Sequence, residues 1–127
     1  MNLSKEITIK QAQEEVREFL DRQGEDWARV GNRFYLFTHM TEELGELARH
    51  IITAEFSLNL DRTAREPTPR ERAISLIEDD LGDILYHILK FAVAYNIDLA
   101  ETFGKTMSEI KKRYGKKATR RTRHARI

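Results

Sequence analysis

Residues 42–52 read EELGELARHII, and 37 positions later residues 79–89 read DDLGDILYHIL. Each segment has two acids, a Leu-Gly pair, a third acid, and a His-Ile pair that begins four residues after the third acid. Apolar residues in and around both segments recur every three or four positions, which is the period of an α-helix. We interpret the two segments as an internal repeat carried on two long helices.

The composition is that of one ordinary domain. The chain has 127 residues, of which 40% are hydrophobic, and this suffices for a single core. The absence of cysteine excludes disulfides, thiolate zinc sites and a cysteine nucleophile. No apolar run approaches the length of a membrane span, and residues 1–10 lack the apolar centre of a signal peptide. We therefore expect a cytoplasmic protein without a membrane partner.

Basic groups are concentrated at the C-terminus. Of 22 basic and 21 acidic residues, nine basic and no acidic ones lie in residues 111–127, so residues 1–110 keep 13 basic and 21 acidic groups, a net charge of −8. Residues 116–127 are too polar to bury, and we predict a disordered tail. Such a tail would bind nucleic acid in a salt-dependent way, but Tyr114 is the one aromatic residue in 111–127. A non-enzymatic nucleic-acid-binding protein is therefore an alternative that we do not favour.

Three sequence patterns mark helix starts. Each has Thr or Asp at the N-cap and Gln or Glu three residues later, a pair that satisfies free backbone N–H groups reciprocally: Thr8 with Gln11, Thr68 with Glu71, and Asp98 with Glu101. With Gly24 and Gly115 as terminators, the apolar periodicity predicts helices at about 9–22, 32–57, 69–95 and 99–114. Because the sequence shows no alternating strand pattern, we predict an all-α protein, a four-helix bundle formed by residues 1–115.

Apolar residues of the second and third helices form two seams. Their positions alternate by three and four residues: Phe37, Met40, Leu44, Leu47 and Ile51 in the second helix, and Ile74, Ile77, Leu81, Ile84, Ile88, Phe91 and Tyr95 in the third. Helices of a bundle bury such seams against each other, so we predict that these two meet at the interface between the helices.

Four acids lie beside the predicted seams. Glu43 and Glu46 share one flank of the second helix, and Asp80 and Asp83 hold the same places on the third. Packed helix axes lie about 8–10 Å apart, which lets the four carboxylates converge on one volume. Carboxylates alone suit hard cations, so we predict a site for Mg²⁺, with Mn²⁺ as the second choice. The alternative is a solvated acidic face, the usual role of an isolated Glu-x-x-Glu pair.

Residues next to the acids refine the choice of metal and ligand. A di-iron bundle needs Glu-x-x-His, whereas Arg49 and Tyr86 follow the last acids of the two repeats at that spacing, which argues against iron. His50 and His87 come one residue later, and we predict that they are hydrogen-bonded to the acids instead of being ligands. Lys90, two turns beyond the last acid of the third helix, is a candidate for phosphate binding.

These motifs resemble those of the MazG-type all-α nucleotide pyrophosphohydrolase superfamily, whose mark is E-E-x-x-E on one helix and E-x-x-D on the next. Residues 42–46 (EELGE) supply the first motif and residues 80–83 (DLGD) the second, and residues 96–99 (NIDL) help to extend the likeness over residues 8–115. The resemblance implies a Mg²⁺-dependent hydrolase that cuts a nucleoside triphosphate between its α and β phosphates. Related enzymes act on dUTP or phosphoribosyl-ATP, which stay as alternative substrates. Asp80 stands where the superfamily usually has Glu, so the number of metal ions stays open.

The resemblance also implies roles for individual residues. The implied metal ligands are Glu43, Glu46, Asp80 and Asp83, of which Glu46, as proton acceptor, and Asp83 take part in catalysis. Position in the sequence, and not the resemblance, makes Lys90 a candidate phosphate contact, with Lys105 and Arg113 of the fourth helix as further candidates. Base contacts are predicted for Trp27, Phe34, Tyr35 and His39 near the start of the second helix, because His39 lies one turn before Glu43 on the same flank. For the three aromatic residues, core packing is the alternative.

Assembly into homodimers or homotetramers, with a site shared between subunits, is a further implication of the resemblance. The helix glycines agree with it. Gly45 and Gly82 each cost their helix about 1 kcal/mol relative to Ala, so we expect a close approach there. Either a partner subunit or the neighbouring helix of the same chain would account for it.

Overall fold

The computed structural model describes residues 6–24, 33–56 and 68–121, with side chains as far as residue 115 in the last segment. Within these ranges the regular structure is entirely helical, without a strand: α1 (Ile9–Gln23), α2 (Arg33–Phe56), α3 (Pro69–Ala94) and α4 (Leu99–Arg121). No helix in these ranges is long and apolar enough to cross a membrane. The predicted all-α, four-helix architecture is confirmed.

Local side-chain hydrogen bonds start α1 and α3 where the sequence predicts. Thr8 Oγ1 accepts from the N–H of Gln11 at 3.1 Å, and Gln11 Oε1 accepts from the N–H of Thr8 at 2.8 Å. Thr68 and Glu71 form the same reciprocal pair, with both bonds at 3.1 Å. Each pair satisfies N–H groups that the first helical turn leaves free. Gly24, with φ of 70°, ends α1 as expected.

Backbone hydrogen bonds within the turn and side-chain hydrogen bonds from α1 stabilise the connection between α3 and α4. Asn96 takes the left-handed conformation with φ of 53°, and the N–H of Ile97 donates back to the carbonyl of Ala92 at 2.8 Å. Gln13 of α1 reaches the same turn: its Nε2 donates to the Ile97 carbonyl at 2.7 Å, and its Oε1 accepts from the Leu99 N–H at 3.0 Å. The amide of one α1 residue therefore joins the end of α3 to the start of α4.

Helix α4 is longer than the sequence suggests. It continues through Gly115 and ends at Arg121, so the predicted end at residue 114 is seven residues too early. Glycine lowers helix stability by about 1 kcal/mol relative to Ala but does not stop a helix by itself. Residues 122–127 of the predicted disordered tail lie outside the described residues.

Helices α2 and α3 run antiparallel and make the most extensive contact in the fold. Arg33, at the start of α2, donates from Nη2 to the carbonyl of Ala94 at the end of α3, at 3.0 Å. At the other end of the pair, Glu55 Oε1 lies 3.8 Å from Arg70 Nη2. Helix α1 packs on α3 through Val16, Leu20 and Leu89.

The seam between α2 and α3 agrees only in part with the one predicted. Its residues are buried or half-buried and alternate by four and three along each helix: Leu36, Met40, Glu43, Leu47, His50 and Ala54 on α2, and Ala73, Ile77, Asp80, Ile84, His87 and Phe91 on α3. This alternation is the pattern of facing coiled-coil positions. Glu43, Asp80 and the two histidines of the repeat therefore lie in the seam itself, whereas Glu46 and Asp83 are exposed beside it.

Seven of the twelve residues of the predicted seam are exposed, and the other five, Met40, Leu47, Ile77, Ile84 and Phe91, lie in the observed seam. Apart from Tyr95 at the end of α3, we call the exposed residues the outer stripe: Phe37, Leu44 and Ile51 on α2, with Ile74, Leu81 and Ile88 on α3. Phe37 is 56% exposed and Leu81 is 54% exposed. The prediction therefore combined the apolar residues of the true seam with those of an exposed stripe that has the same seven-residue period.

Candidate metal centre

Three carboxylates meet in the middle of the α2–α3 seam. Glu43 and Glu46 come from consecutive turns of α2, and Asp80 comes from α3; one oxygen from each lies within 4.8 Å of the other two. Asp80 is 5% exposed, Glu43 is half-buried and Glu46 is exposed. The cluster thus extends from the interior of the helix pair to its surface, where a solute can reach it.

Glu43 is the most perturbed acid of the cluster. Its Oε2 is buried and has no hydrogen-bond partner among the described residues. Burial raises the pKa of Glu43 above its usual 4.5, and the charges of Glu46, Asp83 and Asp80 raise it further, while His39 opposes this. Buried carboxylate oxygens are normally hydrogen-bonded or bound to a metal. An unpartnered oxygen among like charges is therefore an observation that fits a cation ligand.

Asp83 lies at the edge of this cluster. Its charge acts on the pKa of Glu43 and on that of His87, which shows that it is close to both. It is exposed, however, and it does not belong to the set of oxygens that lie within 4.8 Å of one another. Three of the four predicted ligands converge in this structure, with the fourth beside them.

The two histidines of the repeat differ in their contacts. His50 Nδ1 lies 2.6 Å from Asp80 Oδ2, so the prediction that it is hydrogen-bonded to an acid is confirmed. His87 is 7% exposed, and its Nδ1 is buried without a hydrogen-bond partner. No hydrogen bond joins His87 to an acid in the described part of the chain, so the same prediction is wrong for this residue.

A short row of rings continues the site towards the start of α2. Tyr35 Oη lies 3.1 Å from His39 Nε2, and the ring centroids of His39 and His87 are 5.8 Å apart. Burial lowers the pKa of His87 below 6.5, as do the nearby charges of Lys90 and His39, while Asp83 opposes the shift. Of the predicted base contacts, Tyr35 and His39 thus lie near the acids, whereas Trp27 lies outside the described residues.

Lys90 is the one predicted phosphate contact that the fold brings near the cluster. Its charge affects the pKa of His87, and its Nζ lies over the ring of Tyr86, 4.7 Å from the centroid. Burial lowers the pKa of Lys90 below 10.5 and raises that of Tyr86 above 10.0. Lys90 makes no ion pair within the described ranges, so its charge is available to an anion.

The other two predicted phosphate contacts lie on α4, which packs mainly against α1. Lys105 is paired with Glu101 at 3.2 Å, one turn earlier on the same helix. The guanidinium of Arg113 lies over the ring of Tyr114, 6.0 Å from its centroid. Neither cation bonds to the acid cluster in the described part of this single chain, so their assignment to phosphate stays a prediction.

Comparison with protein families agrees with the acidic motifs. A family model described as the MazG nucleotide pyrophosphohydrolase domain matches residues 34–124. The chain belongs to the MazG nucleotide pyrophosphohydrolase family. No curated protein and no solved structure matches it. The MazG match includes nearly all of α2 and the whole of α3 and α4, and therefore the entire acid cluster, so the chain is identified as a hydrolase acting on nucleotides.

The residues of this MazG domain fit the metal dependence that is general in the family. The donor set is made only of carboxylates, as hard divalent cations prefer. Mutual repulsion and the unpartnered Oε2 of Glu43 leave the cluster with excess negative charge for a cation to neutralise. Glu43, Glu46 and Asp80 are the residues that would hold it, with Asp83 adjacent.

Proposed function

We propose that the protein is a Mg²⁺-dependent nucleoside triphosphate pyrophosphohydrolase that releases a nucleoside monophosphate and pyrophosphate. The observation that carries the proposal is the buried, unpartnered oxygen of Glu43, which lies in a cluster with Glu46 and Asp80 inside a MazG domain. Mn²⁺ has the same ligand preferences and is the second candidate. Removal of unwanted nucleotides from the cytoplasmic pool is a role that matches this activity.

Each acid has a distinct part in the proposed reaction. Glu43, Asp80 and Glu46 are the residues that would hold Mg²⁺, and the Asp83 carboxylate would add to the negative charge of the site. Bound Mg²⁺ supplies charge neutralisation for phosphate oxygens and lowers the pKa of an attacking water. Glu46 is the most exposed member of the three-acid cluster, so its carboxylate is placed to accept the proton of a water that enters from solvent. The water oxygen forms a bond to the α phosphorus while the bond from this phosphorus to the α–β bridging oxygen breaks, so that the nucleoside monophosphate and pyrophosphate are the products.

Substrate contacts extend from the acids along both helices. Lys90 is half-buried and forms no ion pair in the described part of the chain, which suits a charge that meets a polyphosphate. Tyr35 and His39 lie at the other side of His87 and offer flat rings and hydrogen-bonding atoms to a base. Lys105 and Arg113 remain proposed phosphate contacts that a shared site between subunits would have to bring close.

A homodimer or homotetramer is part of the proposal. The outer stripe is apolar and exposed in one chain, and a second copy would bury it. An added Cβ at Gly45 or Gly82 would meet nothing within 4 Å in the described part of the chain. The described helices therefore do not explain the two glycines, and the approach of a partner subunit is the explanation that we propose.

A panel of ribo- and deoxyribonucleoside triphosphates, extended by dUTP and phosphoribosyl-ATP, tests the proposal. We expect Mg²⁺-dependent formation of the monophosphate and pyrophosphate from at least one member, and no product in EDTA. Release of inorganic phosphate with a nucleoside diphosphate would show cleavage at the wrong bond. The proposal fails if the folded wild-type protein hydrolyses no member of the panel with either Mg²⁺ or Mn²⁺.

A further inference from the structure

We propose that His50 is a positioning residue that fixes the carboxylate of Asp80 for cation binding, an inference that rests on the proposed function. His50 belongs to α2 and Asp80 to α3, and the bond between Nδ1 and Oδ2, at 2.6 Å, crosses the seam. Asp80 Oδ1 has no hydrogen-bond partner in the described part of the chain. The histidine thus occupies one oxygen of the carboxylate and leaves the other for the metal.

The burial of the pair makes this bond an effective restraint. The side chain of Asp80 is 7% exposed and that of His50 is 16% exposed, so water competes little for either. Hydrogen bonds that an ionised carboxylate accepts are shorter and stronger than neutral ones, and 2.6 Å is a short distance for a nitrogen donor. Such a bond holds the Asp80 carboxylate in one orientation towards Glu43 and Glu46.

Asp80 needs such a restraint more than the other two acids do. Its side chain is one methylene shorter than those of Glu43 and Glu46, so it has less reach with which to adapt to a cation. It is also the one acid that α3 contributes to the cluster of three. A change in its orientation therefore removes the α3 ligand of this cluster and leaves only the adjacent charge of Asp83 on that helix, and hydrogen bonds to ligating groups commonly change metal affinity by about 10–100-fold.

A purely structural role for this bond would be to tie α2 to α3. It would then affect the melting temperature but leave Mg²⁺ affinity unchanged. The exposed ion pair of Glu55 with Arg70 also joins these helices, remote from the acids along the seam. Arg70→Leu is therefore the matched control for loss of a tie between the helices.

Three substitutions at His50 separate the two roles. Asn places a donor nitrogen near the position of Nδ1, Gln places it one atom further out, and Leu has none. We expect His50→Asn to keep the Mg²⁺ dissociation constant within about threefold of wild type, and His50→Gln and His50→Leu to raise it by about 10–100-fold. Titration calorimetry with Mg²⁺ alone measures these constants without relying on activity.

Kinetics supply a second readout for the same variants. The Mg²⁺ concentration for half-maximal hydrolysis should rise in His50→Gln and His50→Leu, with kcat at saturating Mg²⁺ within about tenfold of wild type, and Arg70→Leu should change neither. If folded His50→Asn and His50→Gln both bind Mg²⁺ as wild type does, the inference about His50 is overturned while the proposed function stands. If wild-type protein neither binds Mg²⁺ nor hydrolyses a nucleotide, the proposed function itself fails.

Discussion

His39 of α2 and His87 of α3 lie across the seam with their ring centroids 5.8 Å apart, next to the acid cluster. Two imidazoles at this distance cannot both become charged without repulsion, and one of them is almost completely buried. The ammonium group of Lys90 is a further positive charge near His87. Burial and these neighbouring groups therefore disfavour protonation of His87.

This arrangement predicts an acid-sensitive stability. Because the pKa of His87 is lowered below 6.5 in the folded state, the unfolded chain binds more protons between the folded pKa and 6.5. The contribution of His87 to the free energy of unfolding is therefore full above pH 6.5 and is lost as the pH falls through the pKa of the folded state. In His87→Leu, the fall in melting temperature between pH 7.5 and 5.5 should be smaller by roughly 2–5 °C. Parallel curves for the two proteins would contradict the prediction.

Loss of the Asp83 charge should abolish most of the activity. Asp83→Asn removes the negative group at the edge of the cluster while keeping nearly the same shape, and we expect kcat/KM to fall by about a hundredfold or more. Asp79→Asn is the matched control, since Asp79 is exposed on the same helix and lies outside the cluster. The kcat/KM of Asp79→Asn should stay within about twofold of wild type. Equal rates for wild type and Asp83→Asn would refute the assignment.

Glu43 should lower the stability of the metal-free protein and be required for the stability gained with Mg²⁺. Its pKa is raised, so the folded state loses stability as the pH rises above 4.5 and Glu43 becomes charged among other acids. Without metal at pH 7.5, Glu43→Gln should therefore melt about 2–5 °C above wild type. Wild type should gain stability as RT ln(1 + [Mg²⁺]/Kd), whereas the variant should gain little. Scanning calorimetry in EDTA and in Mg²⁺ measures both effects, and an unchanged gain in the variant would exclude Glu43 as a ligand.

Leu81 tests the proposed assembly. It is 54% exposed on the outer stripe, and burying a leucine against a partner contributes about 1.5–3 kcal/mol. Leu81→Lys should therefore weaken the assembly by about tenfold or more and shift it towards monomer in light scattering coupled to size exclusion. Ser75→Lys places the same side chain at an exposed position of α3 outside the outer stripe and should leave the mass unchanged. A wild-type protein that is monomeric at high concentration would exclude the assembly.

Local signals made the helix starts predictable from the sequence. The cap at Thr68 depends on Glu71, three residues away, and on Pro69, which suits the first helical position. Such a turn forms through interactions between neighbouring residues, without contacts to distant parts of the chain. The acids could be paired for a related reason, since the repeat places Glu43 and Asp80 at equivalent positions of two helices.

The identity of the seam could not be read from hydrophobicity. Four of its central positions are polar, namely Glu43, His50, Asp80 and His87, and a search for apolar periodicity passes over them. All six residues of the outer stripe are apolar, and they recur with the same seven-residue period, so the sequence pattern includes them in the predicted seam. The polar residues of the candidate metal centre lie in the interface, and this is the physical reason for the mismatch. The sequence signal that identifies the seam is the seven-residue spacing of its polar residues, from Glu43 to His50 and from Asp80 to His87.

The four-three alternation along the α2–α3 seam also limits how the length of this chain can change. Inserting one residue between Leu36 and Glu43 would rotate everything before the insertion by about 100° relative to everything after it, so one part of α2 would no longer face α3. The acids and the apolar residues beyond the insertion would then need different packing partners. An addition of seven residues would nearly restore the rotation but would move one part of α2 by about 10.5 Å along the seam. The helix pair is therefore expected to tolerate a heptad only when α3 gains one at the facing position, and to reject single-residue insertions.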